Sequence, residues 1–584
     1  MPLSNKGVMN HQYQCFLFSN TQSLDVFTRE DLTKQQRMIG EVTSEFMRRE
    51  VLTKADEIYG KNWQVTRDLL RQAGELDLLR IDIPEKFGGL GLDKVSSAYV
   101  GEQISLMPSF GASLGAHTAI GTFPILFFGT DEQREKYLPK IASGEWVSAY
   151  CLTESDSGSD ALAAKTKATL TPDGKHYLLN GRKMWITNGG IADVFTIFAK
   201  VDGEKFTAFI VERDFGVESG HEEKKLGLEG SSTTALVLND VKVPIENVLG
   251  GVGNGHLVAF NILNLGRLKL GTRNLGSAKI ALNTAIEYAR NRHQFGKPIA
   301  SFGMIQKKIA EMAMKIFVGD SMVWRTLGMV DDSLNEIDGE DSMKLLKVIE
   351  QYAVECSIIK VWTSEAQGVV VDEALQIHGG YGYSAEYPIE RAYRDARITR
   401  IYEGTNEINR TIIAARLLKY VNKSGISLPE LAEKYLAAEP KSVDNQQADY
   451  LKIVSERVKA LTTIILSLVE EKLGARIREE QQTAAAVSEI LMEAFAIESA
   501  TLRLEKNNAA ENFQSDNAKR LVVLYTVNAL ANIAVNLDSL AAYLQLDKNL
   551  IAQLKALINF DAMDRIRISE EVAGDIISAG KYLW

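Results

Sequence analysis

The segment Val194-Phe-Thr-Ile-Phe-Ala-Lys-Val-Asp-Gly-Glu-Lys-Phe-Thr-Ala-Phe-Ile-Val211 contains two runs rich in β-branched and aromatic residues. The dipeptide Asp202-Gly203, which separates the runs, is typical of a tight hairpin turn. Asn180-Gly181 and Asn188-Gly189 are interpreted as further hairpin dipeptides, and Ala235-Leu-Val-Leu238 as a further strand. This block of the chain is therefore predicted to form a small β-barrel or β-sandwich.

Helical spacing of apolar residues lies on both sides of the β block, for example from Asp68 to Leu79 before it and from Ala278 to Tyr288 after it. The predicted fold class is mainly α with a central β domain. The polar stretch Glu439–Gln447 separates the last helical region from the others. The predicted parts are a tail (1–24), an N-terminal helical domain (25–145), a β-barrel domain (146–250), a helical bundle domain (251–420) and a C-terminal helical extension (421–584).

One helical segment of the extension carries a continuous apolar stripe. Its members recur three and four residues apart: Leu451, Val454, Val458, Leu461, Ile465 and Leu468. The stripe is predicted to face the core of a helical bundle. A surface that touches a membrane or a partner is the alternative, because both give the same pattern in sequence.

Composition excludes several classes of protein. The 584 residues carry a formal net charge of -10, which disfavours binding to nucleic acid. The three cysteines are widely spaced, so neither a disulfide framework nor a thiolate metal site is expected. The longest apolar run, Phe123–Phe128, is far shorter than a membrane span, and the first 28 residues resemble no targeting peptide. We therefore expect a bacterial cytoplasmic protein.

Several common catalytic motifs are absent or misplaced. Gly111-Ala-Ser-Leu-Gly115 matches the nucleophile elbow of hydrolases, but it lies in a helical region rather than between a strand and a helix. The glycine-rich segments at 88–91, 250–255 and 379–382 contain neither a dinucleotide fingerprint nor a P-loop. The seven histidines show no spacing typical of metal ligands.

Other segments are rich in groups that bind an anionic, aromatic cofactor. Tyr150-Cys-Leu-Thr-Glu-Ser-Asp-Ser-Gly-Ser-Asp160 concentrates hydroxyl groups at the start of the β block. Trp185 and Thr187 are two residues apart and are expected on one side of a strand, where an indole stacks on a flat ring and a hydroxyl donates to it. A core tryptophan is the alternative for Trp185. A third group comprises Gln376–Tyr383 and Ile401-Tyr-Glu-Gly-Thr-Asn-Glu407, where Gly404 allows a close approach of backbone to ligand.

The order and spacing of these segments, together with the helix–sheet–helix arrangement, resemble the acyl-CoA dehydrogenase family over residues 30–420. The remaining helical region resembles, less closely, the extension of the very-long-chain members. The resemblance implies an N-terminal helical domain, a β-barrel domain and a C-terminal four-helix bundle, followed by an extra helical domain. It also implies FAD as cofactor and a flavin site shared between subunits, hence a homo-oligomer, for which a dimer is favoured.

The resemblance assigns roles to individual residues. The implied FAD contacts are Tyr150, Leu152, Thr153, Gly158, Ser159, Trp185, Ile186, Thr187, Arg292, Gln376, Gly379, Gly380, Thr405 and Glu407. Among them, Arg292 and the residues around Gly379 are implied to reach the cofactor of the neighbouring subunit. The implied substrate contacts are Ser159, Asn264, Arg267 and Gly404.

The resemblance also implies the reaction. Glu403 is the implied base that removes the α-proton of a fatty acyl-CoA while the β-hydrogen leaves as hydride to flavin N5, giving a trans-2-enoyl-CoA as in fatty acid β-oxidation. Some members carry the base at the position of Gly266, which has no carboxylate here. By the resemblance, the small residues of Gly111–Ala116 align with the floor of the acyl pocket and predict a deep pocket for a long chain; close packing of helices, which also uses Gly and Ala, is the alternative.

Alternatives remain open at this stage. An acyl-CoA oxidase shares the fold and differs in passing electrons to oxygen, whereas a dehydrogenase passes them to an electron-transfer flavoprotein. A non-catalytic assembly or scaffold protein on the same fold is a second alternative. A DNA-protective relative is disfavoured by the acidic charge. The C-terminal extension is a possible site of peripheral membrane contact.

Overall fold

The computed structural model describes residues 15–337, 342–438, 449–510 and 513–584. Within these ranges helices precede and follow one central sheet, so the predicted mainly α fold with a central β domain is confirmed. The predicted polar stretch at 439–447 and the first 14 residues of the predicted tail lie outside the described residues.

The N-terminal helices are α1 Lys34–Phe46, α2 Ala55–Tyr59, α3 Trp63–Glu75, α4 Lys94–Gln103, α5 Pro108–Ala116, α6 Phe123–Phe128 and α7 Asp131–Ala142. Capping boxes start two of them, because Thr33 and Thr130 each accept from the third residue of their helix. The segment Gly111–Gly115 lies inside α5, as predicted, and is no nucleophile elbow. A π-helical turn, His117–Gly121, follows α5.

The central sheet has eight strands: β1 Ser148–Cys151, β2 Lys167–Leu170, β3 His176–Thr187, β4 Val194–Val201, β5 Lys205–Glu212, β6 Glu218–Glu222, β7 Thr233–Pro244 and β8 Val248–Leu249. Their order is β6-β7-β3-β2-β4-β5-β8, and β1 pairs with β4 in parallel. β4 and β5 form the predicted hairpin. Asp202 (φ +54°) and Gly203 (φ +77°) are both left-handed, as a type I′ turn requires.

The hairpin predicted at Asn180-Gly181 is wrong. Both residues lie within β3, at a register shift against β7 between Leu179 and Gly181. The Asn180 side chain donates to Asp240 across this irregularity, at 2.8 Å. A Cβ on Gly181 would lie 2.5 Å from the Thr166 hydroxyl, so the glycine serves a close approach of two strands rather than a turn.

The helices that follow the sheet are α8 Gly255–Asn291, α9 Gly303–Asn335, α10 Ser342–Gln351, α11 Ala353–His378, α12 Pro388–Ala396 and α13 Asn406–Ser424. A short exposed hairpin joins α8 to α9 and consists of β9 His293–Gln294 and β10 Lys297–Pro298. The loop before α8 turns through Gly250, Gly251 and Gly253, all with positive φ.

The C-terminal extension consists of α14 Leu428–Ala437, α15 Tyr450–Leu473, α16 Gln481–Asn507, α17 Ser515–Leu544, α18 Lys548–Leu557 and α19 Arg565–Ala579. The apolar stripe predicted at 451–468 lies on α15 and faces the main core. Its first five members are buried, and Leu468 is partly buried against the same core. The prediction of a bundle core is confirmed.

Part of the predicted N-terminal tail is packed rather than free. Cys15, Phe16 and Leu17 are buried, and the Phe16 ring lies 4.8 Å from the ring of Phe495 in α16, centroid to centroid. Burial of an aromatic side chain stabilises such a contact by about 2 kcal/mol. The start of the described chain is thus anchored on the extension.

Two helical segments have the length and hydropathy of a membrane span, namely Pro108–Phe128 and Ser515–Leu544. Neither was predicted from the sequence, where only uninterrupted apolar runs were considered. Their most apolar windows are 78% and 56% buried inside the protein. Core helices satisfy the same criterion, so these segments are weak evidence for a membrane.

Candidate active site

A cavity of about 760 Å³ lies between the N-terminal helices, one end of the central sheet and α8. It brings together residues that are far apart in sequence. The predicted site residues that line it are Tyr150, Leu152, Thr153, Gly158, Ser159, Trp185, Ile186, Thr187, Arg267, Glu403, Gly404 and Thr405.

The loop that carries Glu403 has an unusual backbone. Glu403 (φ +58°) and Gly404 (φ +80°) are both left-handed, directly before α13 begins with Thr405 as its N-cap. A left-handed conformation is rare for glutamate and costs free energy, so surrounding contacts must hold it. A side chain at 404 would be strained by φ and would lie 3.1 Å from the Asn409 amide nitrogen, which explains the glycine.

Three side chains hold the carbonyl groups of this loop. Arg267 Nε donates to the Glu403 oxygen at 3.1 Å. The Gly404 oxygen accepts from Lys360 Nζ at 2.7 Å and from Asn409 Nδ2 at 2.9 Å. Because these donors come from α8, α11 and α13, the loop is fixed from three directions.

The side chain of Glu403 lines the cavity. Its Oε2 is a buried oxygen with no donor among the described residues. Burial raises the pKa of Glu403, while the positive charges of Arg267, Arg273 and Lys360 act in the opposite direction. A buried carboxyl of raised pKa that faces an apolar cavity suits a general base.

Gly266 leaves the space in which the Glu403 carboxylate lies. A Cβ at this position would be 2.9 Å from Glu403 Oε2. α8 therefore has no room here for a side chain while Glu403 keeps its present position.

Trp185 is 58% exposed although it is among the largest side chains, so the alternative of a core tryptophan is wrong. Its φ of +54° falls at a register shift of β3 between Lys183 and Ile186. The bulge turns Trp185, Ile186 and Thr187 toward the same cavity, where a regular strand would place only alternate residues. An exposed indole beside a hydroxyl fits a flat heterocycle such as isoalloxazine.

The loop at 152–159 is held by a buried ion pair. Lys183 Nζ lies 2.7 Å from Glu154 Oε1 and donates to the Leu152 oxygen at 3.3 Å. Glu154 in turn accepts from the backbone of Lys165 and Thr166. Thr153 accepts from the Met184 amide at 2.9 Å, which couples this loop to the strand that carries Trp185.

A second group of predicted residues lies on the surface instead. Arg292, Gln376, Gly379 and Gly380 are exposed and do not line the cavity. The Arg292 guanidinium lies 5.4 Å from the centre of the Tyr381 ring. Within one chain, these four predicted residues therefore lie apart from the predicted residues that line the cavity.

Asn264 and Glu407 lie beside the cavity without lining it. Asn264 is buried and accepts from Arg267 Nη1 at 3.0 Å. Glu407 is exposed in the first turn of α13.

Sequence reasoning missed Lys360, Asn409 and Arg273. Lys360 is completely buried within α11, and a lysine in the apolar run Cys356-Ser-Ile-Ile-Lys-Val361 was the available signal. Burial lowers the pKa of Lys360 to about 7, against the attraction of Glu403.

Arg273 modifies the prediction of a deep pocket. The glycine at 115 does leave space, but a Cβ there would lie 2.2 Å from Arg273 Nη1, so the guanidinium already fills it. Arg273 Nη1 also donates to the Gly111 oxygen at 3.1 Å. The small residues of α5 thus accommodate an arginine, and Ala112, Gly115 and Ala116 still line the cavity.

The fold has helices on both sides of a sheet, and its cavity contains a buried carboxylate oxygen without a donor among the described residues and an exposed indole. This combination is typical of flavin-dependent dehydrogenases that remove a proton from carbon. Models of the acyl-CoA dehydrogenase N-terminal, middle and C-terminal domains match residues 33–145, 149–241 and 253–418, and a further acyl-CoA dehydrogenase C-terminal domain model matches 457–557. The chain belongs to the acyl-CoA dehydrogenase family. It is an oxidoreductase with FAD as its cofactor.

The chain is 42% identical over 579 residues to a probable acyl-CoA dehydrogenase of Bacillus subtilis (strain 168), covering 97% of this chain and 98% of that one. It superposes on a crystal structure of an acyl-CoA dehydrogenase complexed with FAD from Bacillus anthracis with a TM-score of 0.94, at 41% identity, covering 97% and 99% of the two chains. The very long-chain specific acyl-CoA dehydrogenase, mitochondrial, of Macaca fascicularis is 43% identical over 361 residues, which are 60% of this chain and 53% of that protein.

Proposed function

We propose that the protein dehydrogenates a long-chain fatty acyl-CoA at its α and β carbons to the trans-2-enoyl-CoA, with Glu403 as the base that takes the α-proton. FAD, when bound, supplies the acceptor for the β-hydrogen, which leaves as hydride. The proton and the hydride together balance the two hydrogens that the substrate loses.

The observation that carries this proposal is the free, buried oxygen of Glu403. A carboxylate with no donor of its own is available to a proton of the ligand, and desolvation increases its basicity. The three donors fix the left-handed backbone that carries the carboxylate, so little reorganisation of the loop precedes proton transfer.

The remaining roles follow from position. Trp185 and Thr187 line the cavity and would hold the flavin ring, and Gly158 and Ser159 of the loop at 152–159 line it as well and would contact the ring and the near end of the substrate. Arg267 and Gly404 border the acyl thioester, with Asn264 orienting Arg267. Thr405 and Glu407, at the start of α13, extend the cofactor site.

A long acyl chain is supported by the small residues of α5 that line the cavity beside Arg273, namely Ala112, Gly115 and Ala116. A relative named for very long chains is 43% identical over 60% of this chain. In this proposal Arg273, whose guanidinium lies against Gly115 of α5, limits the length of the acyl chain that the cavity accepts.

The wider setting is part of the proposal. The enzyme is bacterial and cytoplasmic in this proposal, as a Bacillus relative of similar length supports. The proposal further includes a dimer that passes electrons to an electron-transfer flavoprotein. Activity with such a flavoprotein but not with oxygen separates this function from that of an acyl-CoA oxidase.

The decisive experiment is anaerobic titration of the FAD-loaded protein with palmitoyl-CoA while flavin absorbance is recorded. The wild type is expected to bleach, whereas Glu403→Gln is expected to bind the ligand with its flavin oxidised. Glu433→Gln, which changes an exposed glutamate of α14, serves as the matched control and is expected to behave like the wild type. Bleaching of Glu403→Gln at the wild-type rate would refute the base assignment, and no bleaching of the wild type with any acyl-CoA would refute the proposed function.

A further inference from the structure

The C-terminal extension touches the segment that follows the Glu403 loop. α16 presents Ser488 and Glu489 side by side to α13. Ser488 Oγ donates to the Arg410 oxygen at 2.6 Å, and Arg410 Nε donates to Glu489 Oε1 at 2.6 Å. Arg410 lies seven residues after Glu403 and is the fifth residue of α13.

Arg410 also grips a second carboxylate. Its two terminal nitrogens donate to the two oxygens of Glu365 on α11, at 2.8 and 3.0 Å. Such a fork fixes both distance and orientation, more so than a single hydrogen bond. The exposed fraction is 16% for the Arg410 side chain, 25% for Glu489 and 39% for Glu365, so water screens the pair with Glu489 less than the pair with Glu365.

From Glu365 the contacts continue to the loop. Asn406 Nδ2 donates to Glu365 Oε1 at 2.9 Å, and Asn406 Oδ1 accepts from Lys360 Nζ at 2.7 Å. Lys360 Nζ then donates to the Gly404 oxygen at 2.7 Å. These hydrogen bonds form an unbroken series from α16 to Gly404, the residue beside Glu403. Asn406 and Lys360 are buried, which strengthens their hydrogen bonds.

We propose that Glu489 of the C-terminal extension is a positioning residue for the Glu403 loop, acting through Arg410, Glu365, Asn406 and Lys360. The loop needs such support because two successive residues are held in the left-handed conformation. This inference rests on the proposed function, since it takes Glu403 to be the base. It gives the extension a part in the reaction beyond covering the surface of the bundle.

A matched control exists on the same helix. Lys506 of α16 also pairs across to the body of the protein, with Asp31 at 2.7 Å, and its ammonium group donates to the Val26 oxygen. It contacts the N-terminal segment and none of the residues of the series. Lys506→Ala thus removes an ionic contact of the extension without touching the Glu403 loop.

The test compares Glu489→Ala, Glu489→Gln and Lys506→Ala as full-length, FAD-loaded proteins. For Glu489→Ala we expect the rate of anaerobic flavin reduction by palmitoyl-CoA to fall about tenfold, with the dissociation constant of the substrate changed less than about twofold. The acid limb of the pH–rate profile is expected to move to lower pH, because a looser loop admits water to Glu403. Glu489→Gln keeps an acceptor for Arg410 and is expected to lie between Glu489→Ala and the wild type. It also replaces Glu489→Ala should that variant fail to fold.

A second readout is independent of turnover. Hydrogen–deuterium exchange of the backbone amides of 401–409 is expected to quicken in Glu489→Ala and to stay at the wild-type rate in Lys506→Ala. Equal effects of both variants would overturn the inference, because they would indicate general loosening of the extension. Faster exchange with an unchanged reduction rate would overturn it as well. Glu403→Gln, measured alongside, reports on the base assignment alone, so failure of the proposed function is distinguishable from failure of this inference.

Discussion

At the scale of single residues, the protein places a charged group where apolar surroundings penalise it. Desolvation raises the pKa of Glu403, and the opposing effects of Arg267, Arg273 and Lys360 keep the group ionisable. The structure leaves one oxygen of this carboxylate unpaired, which is unusual for a buried polar atom. Such an atom is expected to have a partner in the complex with substrate.

Gly266→Ala tests how closely the carboxylate is confined. The new methyl would lie 2.9 Å from Glu403 Oε2, so the carboxylate must shift by several tenths of an ångström. We expect flavin reduction by palmitoyl-CoA to slow at least about tenfold, because reactions depend steeply on the distance between the reacting atoms. Stopped-flow absorbance measures the rate. FAD content and melting temperature should match those of the wild type, and an unchanged rate would show that Glu403 does not act from this position.

Arg273→Ala tests the wall of the acyl cavity. Its guanidinium fills the space beside Gly115, so removal opens room for further methylene groups of the substrate. Each methylene buried contributes about 0.8 kcal/mol, so two of them favour the longer chain by about tenfold. The measurement is the ratio of kcat/KM for stearoyl-CoA to that for lauroyl-CoA, in variant and wild type. A ratio that stays constant or falls would place the limit of chain length elsewhere.

At the scale of secondary-structure elements, a buried histidine joins three of them. His117 follows α5, its Nε2 donates to the Ile141 oxygen at the end of α7, and its Nδ1 accepts from the Ser148 amide at the start of β1, both at 3.1 Å. A carbonyl only accepts and an amide only donates, so the ring is neutral with its proton on Nε2. Burial lowers the pKa of His117 from 6.5 to about 4.

This histidine gives the fold a definite dependence on pH. Between pH 6.5 and about 4 the unfolded chain binds a proton at His117 and the folded chain does not, so the free energy of unfolding falls as the pH is lowered through this window. The contribution is on the order of 3 kcal/mol. His117→Gln is expected to be less stable than the wild type at pH 7 and to lose less stability between pH 6.5 and 4.5.

Urea unfolding at a series of pH values measures both quantities. The carboxylates titrate alike in the two proteins, so their effects cancel in the difference between variant and wild type. If the two proteins lose stability in parallel across this window, His117 does not stay neutral in the folded state.

At the scale of the whole molecule, one chain contains only part of the predicted flavin site. Arg292 and the residues around Gly379 are exposed and lie outside the cavity, next to the hairpin of β9 and β10. Phe295, at the tip of this hairpin, is 92% exposed. A large apolar side chain exposed to water, next to residues predicted to contact the cofactor, is consistent with contact with a second copy of the chain.

Phe295→Asp is therefore expected to abolish dimerisation and, with it, retention of FAD. Burial of an unpaired carboxylate in an interface costs several kcal/mol, enough to separate a dimer. Sedimentation equilibrium gives the mass, and absorbance after gel filtration gives the flavin content. Ile566→Asp changes another exposed apolar residue, at the start of α19, and is expected to leave both unchanged. A dimeric Phe295→Asp variant with full flavin content would contradict a site shared across this hairpin.

Much was available from the sequence because it depends on local pattern. The period of apolar residues predicted the helical parts, the central sheet and the buried stripe of α15, and Asp202-Gly203 predicted its hairpin. The order and spacing of several segments across residues 30–420 indicated the family, and the resemblance predicted Glu403 as the base. The helices, strands and turn depend mainly on residues close together in the chain, whose patterns of apolar and turn residues can be recognised without knowledge of distant segments.

The tertiary structure decided what depends on residues distant in sequence. Asn180-Gly181 became a strand irregularity because Thr166 lies against it, and Trp185 was turned outward by a bulge. Arg273, some 160 residues away in sequence, fills the space left by Gly115. Lys360 donates a hydrogen bond to the Gly404 oxygen, a contact that the sequence did not predict. Local pattern indicates which face of a helix or strand is apolar. Packing between segments distant in sequence determines which side chain occupies each space, and it therefore sets the geometry around Glu403.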